Sequence, residues 1–326
     1  LGNLKIRSFI DEHINSAGNL VANTVKRLRN QGAVLSHAYE NEELCIQFLI
    51  DLFQKGAIGA AAIENGKLSG FIIGLPREDE FFGRSVWSKV PMHALAEGVE
   101  PALYRHLYAA AGEQWMANGY PNHYVEEPAI EKTALWTWFG LGFGQQQVYG
   151  ALDLAAHSHS EFTNDGKITI RRAAAGDEEI LKSFAWNVAG YQMGAPVWAP
   201  TAENEKAELE EGYSELATDP DSITWLAFDG DSPVGMQRYH AVVDASKDIL
   251  NVEGGIELAP GSTMPQARGK GSATLMTQHG LAYAREHGFK TCLIDWRTTN
   301  LLSAAFWPKM GFEPVVFRLE RRVDFR

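Results

Sequence analysis

Cysteine is almost missing from this sequence: Cys45 and Cys292 are the only two in 326 residues. Two cysteines cannot build a disulfide framework, so a reducing cytoplasm is the expected setting. Long apolar runs are missing as well. Nothing approaches the roughly 18 consecutive apolar residues of a membrane-spanning helix, and no signal-peptide pattern follows Leu1. Basic residues are in deficit, with 29 Lys and Arg against 41 Asp and Glu, a net charge of −12. Neither half of the chain is basic, which argues against nucleic acid as a ligand and leans towards a cationic partner. His157 and His159 lie in a polar, turn-rich stretch without further ligands, so no metal site is expected.

The remaining composition is that of an ordinary soluble globular protein, 45% hydrophobic and 21% charged. The length is large for one core, and two domains are the expectation. Residues from Leu4 to about Gln54 read as helical: Ile14, Val21, Val25 and Leu28 recur at helical spacing, as do Leu44, Phe48, Leu49 and Leu52. Ala57 to Leu75 reads as a hairpin around Asn65-Gly66, and Thr224 to Tyr239 as another around Asp229-Gly230. The stretch 155–166 reads as a linker. Cys292, in the apolar run Thr291 to Ile294, reads as a buried strand residue rather than a nucleophile.

Towards the C-terminus, Ile256 to Met276 reads as a strand, a tight loop at Arg268 to Gly271, and an amphipathic helix closed by Gly288. The start of a helix carries unpaired N–H groups and a partial positive charge, and so suits a phosphate. Gly269 and Gly271 let main chain approach an anion, and Arg268 and Lys270 add positive charge. A P-loop would need glycine at 264 and Ser or Thr at 271; the sequence has Met264 and Gly271. The dinucleotide pattern G-x-G-x-x-G/A would need a small residue where Thr274 stands.

Arg268-Gly269-Lys270-Gly271-Ser272-Ala273 does match the pattern Q/R-x-x-G-x-G/A, and the stretch resembles the GNAT (Gcn5-related) N-acetyltransferases. Asn300 to Phe312 is similar to the family's second signature, N-x-x-A-x-x-L/F-Y-x-x-x-G-F: Asn300, Phe306, Gly311 and Phe312 match, whereas Ser303 and Trp307 depart. Lys167 to Asp177 is similar to its opening strand and helix.

The resemblance implies a mixed α/β (α+β) fold, a mostly antiparallel twisted sheet flanked by helices. It also implies acetyl-CoA as co-substrate. The diphosphate would sit on Arg268, Gly269, Lys270, Gly271, Ser272 and Ala273, and the pantetheine arm would lie between two splayed strands near Gly261, Ser262 and Thr263, with Asn300 and Trp307 at the rim. The reaction it implies is acetyl transfer to a primary amine of a small molecule, in a monomer or a homodimer. Such chemistry needs a base, a polarised thioester carbonyl and a stabilised leaving thiolate.

Glu257 is the candidate base, with Glu253 in reserve. Strand alternation would put 257, 259, 261 and 263 on one face. Trp307 stands where the family usually has a tyrosine, and an indole N–H is not a proton source near neutral pH. This departure keeps two other readings open, an acyl-CoA-binding sensor without catalysis and a mycothiol-synthase-like tandem enzyme. The acceptor is expected against Trp186 to Tyr213, where aromatic rings stand among carboxylates from Glu203 to Glu211.

The chain also repeats itself at an offset of 169: Gly119 falls on Gly288, Gly142-Phe143 on Gly311-Phe312, Trp138 on Trp307 and Glu126 on Asp295. At this offset Arg268 to Ala273 faces Val99 to Tyr104, where Glu100 would repel phosphate and Pro101 removes a backbone donor. The expectation is therefore two GNAT-like domains: a degenerate one at 1–154 that does not bind coenzyme A and helps shape the acceptor site, the linker 155–166, and a catalytic one at 167–326.

Overall fold

The computed structural model describes residues 4–156, 167–199 and 205–324. Most of the expected linker (157–166, with His157 and His159) and Glu203 lie outside the described residues. The chain divides into two compact units. One comprises Leu1–Tyr149, Asp244–Glu253 and Pro314–Arg326; the other comprises Gly150–Val243 and Gly254–Glu313.

The first unit runs β1 (Lys5–Ser8), α1 (Ile14–Asn30), α2 (Glu42–Gln54), β2 (Ile58–Glu64), β3 (Lys67–Asp79), β4 (Gly83–Ser88), β5 (His93–Leu95), α3 (Leu103–Ala117), β6 (Asn122–Pro128), α4 (Lys132–Gly140) and β7 (Gly144–Asp153), the last four residues of β7 belonging to the second unit. The helical reading of the N-terminal stretch holds over Ile14–Asn30 and Glu42–Gln54, which are separated by a turn and a short 3-10 segment at His37–Glu40. Residues 5–8 are a strand instead, because they pair antiparallel with β2 from Lys5–Ile63 to Ser8–Ala60. Four residues are too few for periodicity to separate strand from helix. In α1, Ile14, Ala17, Val21, Val25 and Leu28 form the buried face. Asn41 caps α2, its Oδ1 accepting from Leu44 N–H at 2.9 Å. The hairpin of β2 and β3 turns on Asn65 (φ 50°) and Gly66 (φ 79°), the left-handed pair that a two-residue turn requires.

The second unit runs β8 (Ile168–Arg172), α5 (Glu178–Gln192), α6 (Glu205–Glu215), β9 (Ser222–Asp229), β10 (Ser232–Ala241), β11 (Gly255–Thr263), α7 (Ser272–Glu286), β12 (Thr291–Arg297) and α8 (Leu301–Phe306). The last strand, β13 (Glu313–Arg322), pairs antiparallel with β6 from Val316–Pro128 to Arg322–Asn122, so all but its first residue belong to the first unit.

The units repeat one plan: a strand, two helices, an antiparallel meander, a helix, a parallel strand and a short helix. In the first the strand order is β1-β2-β3-β4-β6-β13-β7, and in the second β12-β11-β10-β9-β8. The parallel neighbours are β4 with β6 and β11 with β12. Each crossover between parallel strands runs through a helix, as parallel pairing demands.

In the second unit α7 is seated closely on β10. A Cβ at Gly280 would lie 2.3 Å from the Tyr239 ring, so only glycine admits that ring. Tyr239 donates to Gln237 Oε1 at 2.9 Å, and Gln237 Nε2 donates to Thr277 Oγ1 at 2.8 Å. This buried chain of bonds fixes the helix against the strand that precedes β11.

Candidate active site

The glycines of the loop before α7 have the backbone expected of them. Gly269 (φ 77°) and Gly271 (φ 86°) are both left-handed, and nothing lies within 4 Å of a Cβ built at Gly269. The first intrahelical bond runs from Leu275 N–H to Gly271 O at 3.0 Å. The amides of Ser272, Ala273 and Thr274 therefore precede the helix's own ladder. Lys270 is exposed, and the Arg268 guanidinium lies over the Tyr191 ring, 5.1 Å from its centroid. Backbone donors, helix dipole and two cations thus meet at one point.

Pairing between β11 and β12 stops early. It runs from Gly255–Thr291 to Leu258–Ile294, and both strands continue beyond the last rung. Pro260, with no N–H to give, follows that rung. On the other side of β11 the ladder with β10 continues to Thr263. Met264 N–H bonds to Val234 O at 2.9 Å, so Gly261 and Thr263 turn their peptide groups towards the free edge and Ser262 turns towards β10. Trp307 stands against this edge, its indole 4.0 Å from a Cβ built at Gly261 and packed on Phe306 and Phe312. Asn300 caps α8, accepting from the N–H groups of Leu302 (3.1 Å) and Ser303 (3.2 Å).

The expected alternation along β11 fails, for a local reason. Gln237 pairs with Gly261 and Tyr239 with Leu258, so β11 spends three residues against two, a bulge at Ala259-Pro260. Gly261 and Thr263 share the face of Gln237 and Tyr239, towards α7. Glu257 shares the other face with His240 and Arg238, the side on which Met236 packs against Leu181 and Phe184 of α5.

His240 and Arg238 are functional candidates that the sequence reading missed. His240 Nε2 lies 3.2 Å from Glu257 Oε2. Arg238 Nη1 stands 3.3 Å from His240 Nδ1 and 3.3 Å from Ala259 O, while its Nη2 faces Asp219 at 3.6 Å. A guanidinium only donates, so Nδ1 is the acceptor and the imidazole proton sits on Nε2, directed at Glu257. The register of β10 against β11 creates the pair, and no residue spacing announces it.

Glu253 is elsewhere. It belongs to the first unit, where its carboxylate meets His37 Nδ1 at 2.6 Å and accepts from Ser36 Oγ at 3.0 Å. Of the expected acceptor residues, Tyr213 is spent in the core of the second unit, its hydroxyl pushed up to about 12 by burial, and Trp198 is 70% exposed. Cys292 is a buried strand residue whose thiol is raised by burial and by Glu257.

In the first unit the position corresponding to Trp307 is Trp138. It donates to Glu127 Oε2 at 2.7 Å and lies 5.0 Å from the Tyr104 ring. His93 bridges Tyr104 OH (3.0 Å) and Glu126 O (2.8 Å). A carbonyl only accepts, so Nε2 carries the proton and Nδ1 takes the tyrosine's. Aromatic rings thus fill the space beside β6, and α3 begins after Val99-Glu100-Pro101-Ala102, with Gly98 the nearest glycine before it.

Among the described residues no group of three His, Cys, Asp or Glu side chains could hold a metal ion, and no helix is long and apolar enough to cross a membrane.

The family model described as Acetyltransferase (GNAT) family matches residues 191–312. No curated protein matches the sequence. Among solved structures, a GCN5-related N-acetyltransferase from Sphaerobacter thermophilus is similar at 13% identity and a TM-score of 0.59, covering 98% of this chain and 95% of that one. A tandem GNAT protein from the clavulanic acid biosynthesis pathway is similar at 12% identity and a TM-score of 0.53, covering 99% and 100%. A glucosamine N-acetyltransferase region of a fungal multi-domain β-N-acetylglucosaminidase gives 14% and 0.57, covering 98% of this chain and 38% of that one. At these identities the likeness establishes the fold, two GNAT-like domains in tandem. The family match spans the glycine loop, the splayed strands and α8 of the second unit.

Proposed function

We propose that the second unit transfers an acetyl group from acetyl-CoA to a primary amine of a small molecule, by direct attack in a ternary complex. The observation that carries this reading is the Glu257–His240 pair, set two residues before the bulge and one before the last rung that β11 shares with β12. The uncrowded backbone at Gly269 and the first-turn amides of α7 suit the charge of a diphosphate.

Bound there, acetyl-CoA supplies an activated acyl carbon and a thiol leaving group. Main chain at 268–273, with Arg268 and Lys270, holds the anion. The outward peptide groups of Gly261 and Thr263 orient the arm, with Ser262 held in the ladder between them and Asn300 and Trp307 closing the rim. Glu257, oriented by the His240 N–H, takes the ammonium proton through the oxygen His240 does not use. Arg238 fixes the tautomer that makes this orientation possible. The first unit, its equivalent space filled by Tyr104 and Trp138, takes no coenzyme A. In the same reading neither metal, nucleic acid nor a membrane surface takes part, and the protein works in the cytoplasm as a monomer or homodimer.

Trp307 favours a second reading, an acyl-CoA sensor without turnover, because an indole cannot protonate the departing sulfur. Thiol release measured over a panel of amines separates the two. Turnover abolished by Glu257→Gln supports transfer, and tight coenzyme A binding with no turnover on any amine supports the sensor. A cysteinyl amino sugar belongs in the panel, since its acceptance would indicate a mycothiol-synthase-like enzyme.

A further inference from the structure

The first unit contains a cavity of about 180 Å³ that the reaction proposed above does not use. We propose that it is a binding site for a small aromatic carboxylate.

The walls give the first half of that assignment. Phe48 and Leu52 of α2, Leu75 of β3, Met92 and Ile249 form an apolar surface around it. Tyr39 and Trp87 complete it with their polar ends already committed: Tyr39 OH donates to Ser246 O at 3.1 Å and Trp87 Nε1 to Ser85 Oγ at 3.1 Å. Both rings therefore present carbon to whatever enters. A closed apolar cavity of about 150 Å³ holds benzene, so this volume suits a single ring with a short substituent.

The charges give the second half. Lys55, Arg77, Lys89 and Lys247 line the cavity against one acid, Asp248. Asp248 is already matched by Lys89 at 2.5 Å, which leaves three cations around the opening of an apolar pocket. In a chain of net charge −12, that grouping runs against the composition. Burial opposes the charge on Lys89, but Glu126 and Asp248 outweigh it and hold the amine charged, with Arg77 the smallest opposing influence. An amine would meet these cations unfavourably. Inorganic phosphate would satisfy them and leave the carbon walls uncovered. An aromatic ring bearing a carboxylate meets both demands.

Calorimetric titration of the full chain with benzoate, benzylamine and inorganic phosphate tests the assignment. Benzoate is expected to saturate one site, with neither benzylamine nor phosphate competing at equal concentration. The surface double variant Lys55→Glu/Lys247→Glu should weaken benzoate by about tenfold or more, which is about 1.4 kcal/mol. Leu75→Phe, which fills the cavity, should remove binding with the circular dichroism spectrum unchanged. No saturable heat with benzoate, equal affinity for phosphate or benzylamine, or benzoate binding unchanged in both variants would overturn the proposal. Coenzyme A affinity should be the same in all these proteins, because no lining residue belongs to the second unit.

Discussion

His240 on β10 and Glu257 on β11 are cross-strand partners, and their side chains meet at 3.2 Å, Nε2 to Oε2. Opposed residues on one face of an antiparallel pair are held by the ladder itself, so this contact is preorganised rather than loop-borne. Glu257→Gln keeps the size and one acceptor but removes the base. Steady-state assays should find kcat lower by about 10²–10⁴-fold with coenzyme A affinity unchanged. His240→Asn should lower kcat by less, about tenfold, and alter its pH profile. A pH profile identical to the parent protein's would mean that His240 is only packing.

Gly271 caps α7 with φ 86°. A β-branched side chain is disfavoured there by about 1–3 kcal/mol, and the strain falls on the amides proposed to face the diphosphate. Gly271→Val should weaken coenzyme A at least tenfold, about 1.4 kcal/mol, as read by calorimetry. An unchanged dissociation constant would remove the helix terminus from the binding site.

The parts of this fold legible in the sequence are those set by a few adjacent residues. Asn65-Gly66 makes its turn, the glycines at 269 and 271 take left-handed φ, and the apolar stripe of α1 is buried. The parts that were not legible depend on register or on distant pairing. The bulge at Ala259-Pro260 reverses the faces of 257 and 261, although a proline inside a strand was a signal for it. The segment 244–253 joins the first unit through Ser36, Tyr39 and Lys89, and β13 pairs with β6. Both contacts link residues about two hundred positions apart, and no local pattern encodes them.

Gly280 and Tyr239 allow a stability test. In an exposed helix interior, glycine to alanine gains up to about 1 kcal/mol. Here the added methyl would stand 2.3 Å from a ring that is 1% exposed and cannot retreat. Overpacking of this kind costs about 1–3 kcal/mol. Thermal melts should show Gly280→Ala below the parent protein and the double variant Gly280→Ala/Tyr239→Leu above Tyr239→Leu alone. Additive effects would place the Tyr239 ring elsewhere.

Glu253 should contribute to loss of stability in acid. Burial alone would raise its carboxyl, but hydrogen bonds from His37 and Ser36 outweigh it and lower it to about 2 from 4.5. A depressed carboxyl stabilises the fold above its unfolded value and loses that effect as pH falls through its folded value. Between about pH 4.5 and 2 the urea midpoint should fall, and Glu253→Gln should make that fall shallower. Asp177, lowered by its bond to Arg171, acts in the same direction. A slope identical in Glu253→Gln would assign acid sensitivity to other carboxylates.

Glu127 should act with the opposite sign. Burial pushes its carboxyl up to about 8, with the Trp138 N–H opposing the shift. The folded protein then holds a proton that the unfolded chain has released above about pH 4.5, so this group favours folding less as pH rises from there towards 8. Above that range a charge is buried among Tyr104, Trp138 and His93, and His93 stays neutral because burial lowers it to about 4. Glu127→Gln keeps an oxygen for the indole and carries no charge. Its melting temperature should exceed the parent protein's at pH 8.5 by several degrees, at roughly 2–4 °C per kcal/mol. At pH 4, where the carboxyl is protonated in the folded protein and largely so in the unfolded chain, the two should melt together. An equal gain at both pH values would trace the effect to packing rather than to the proton.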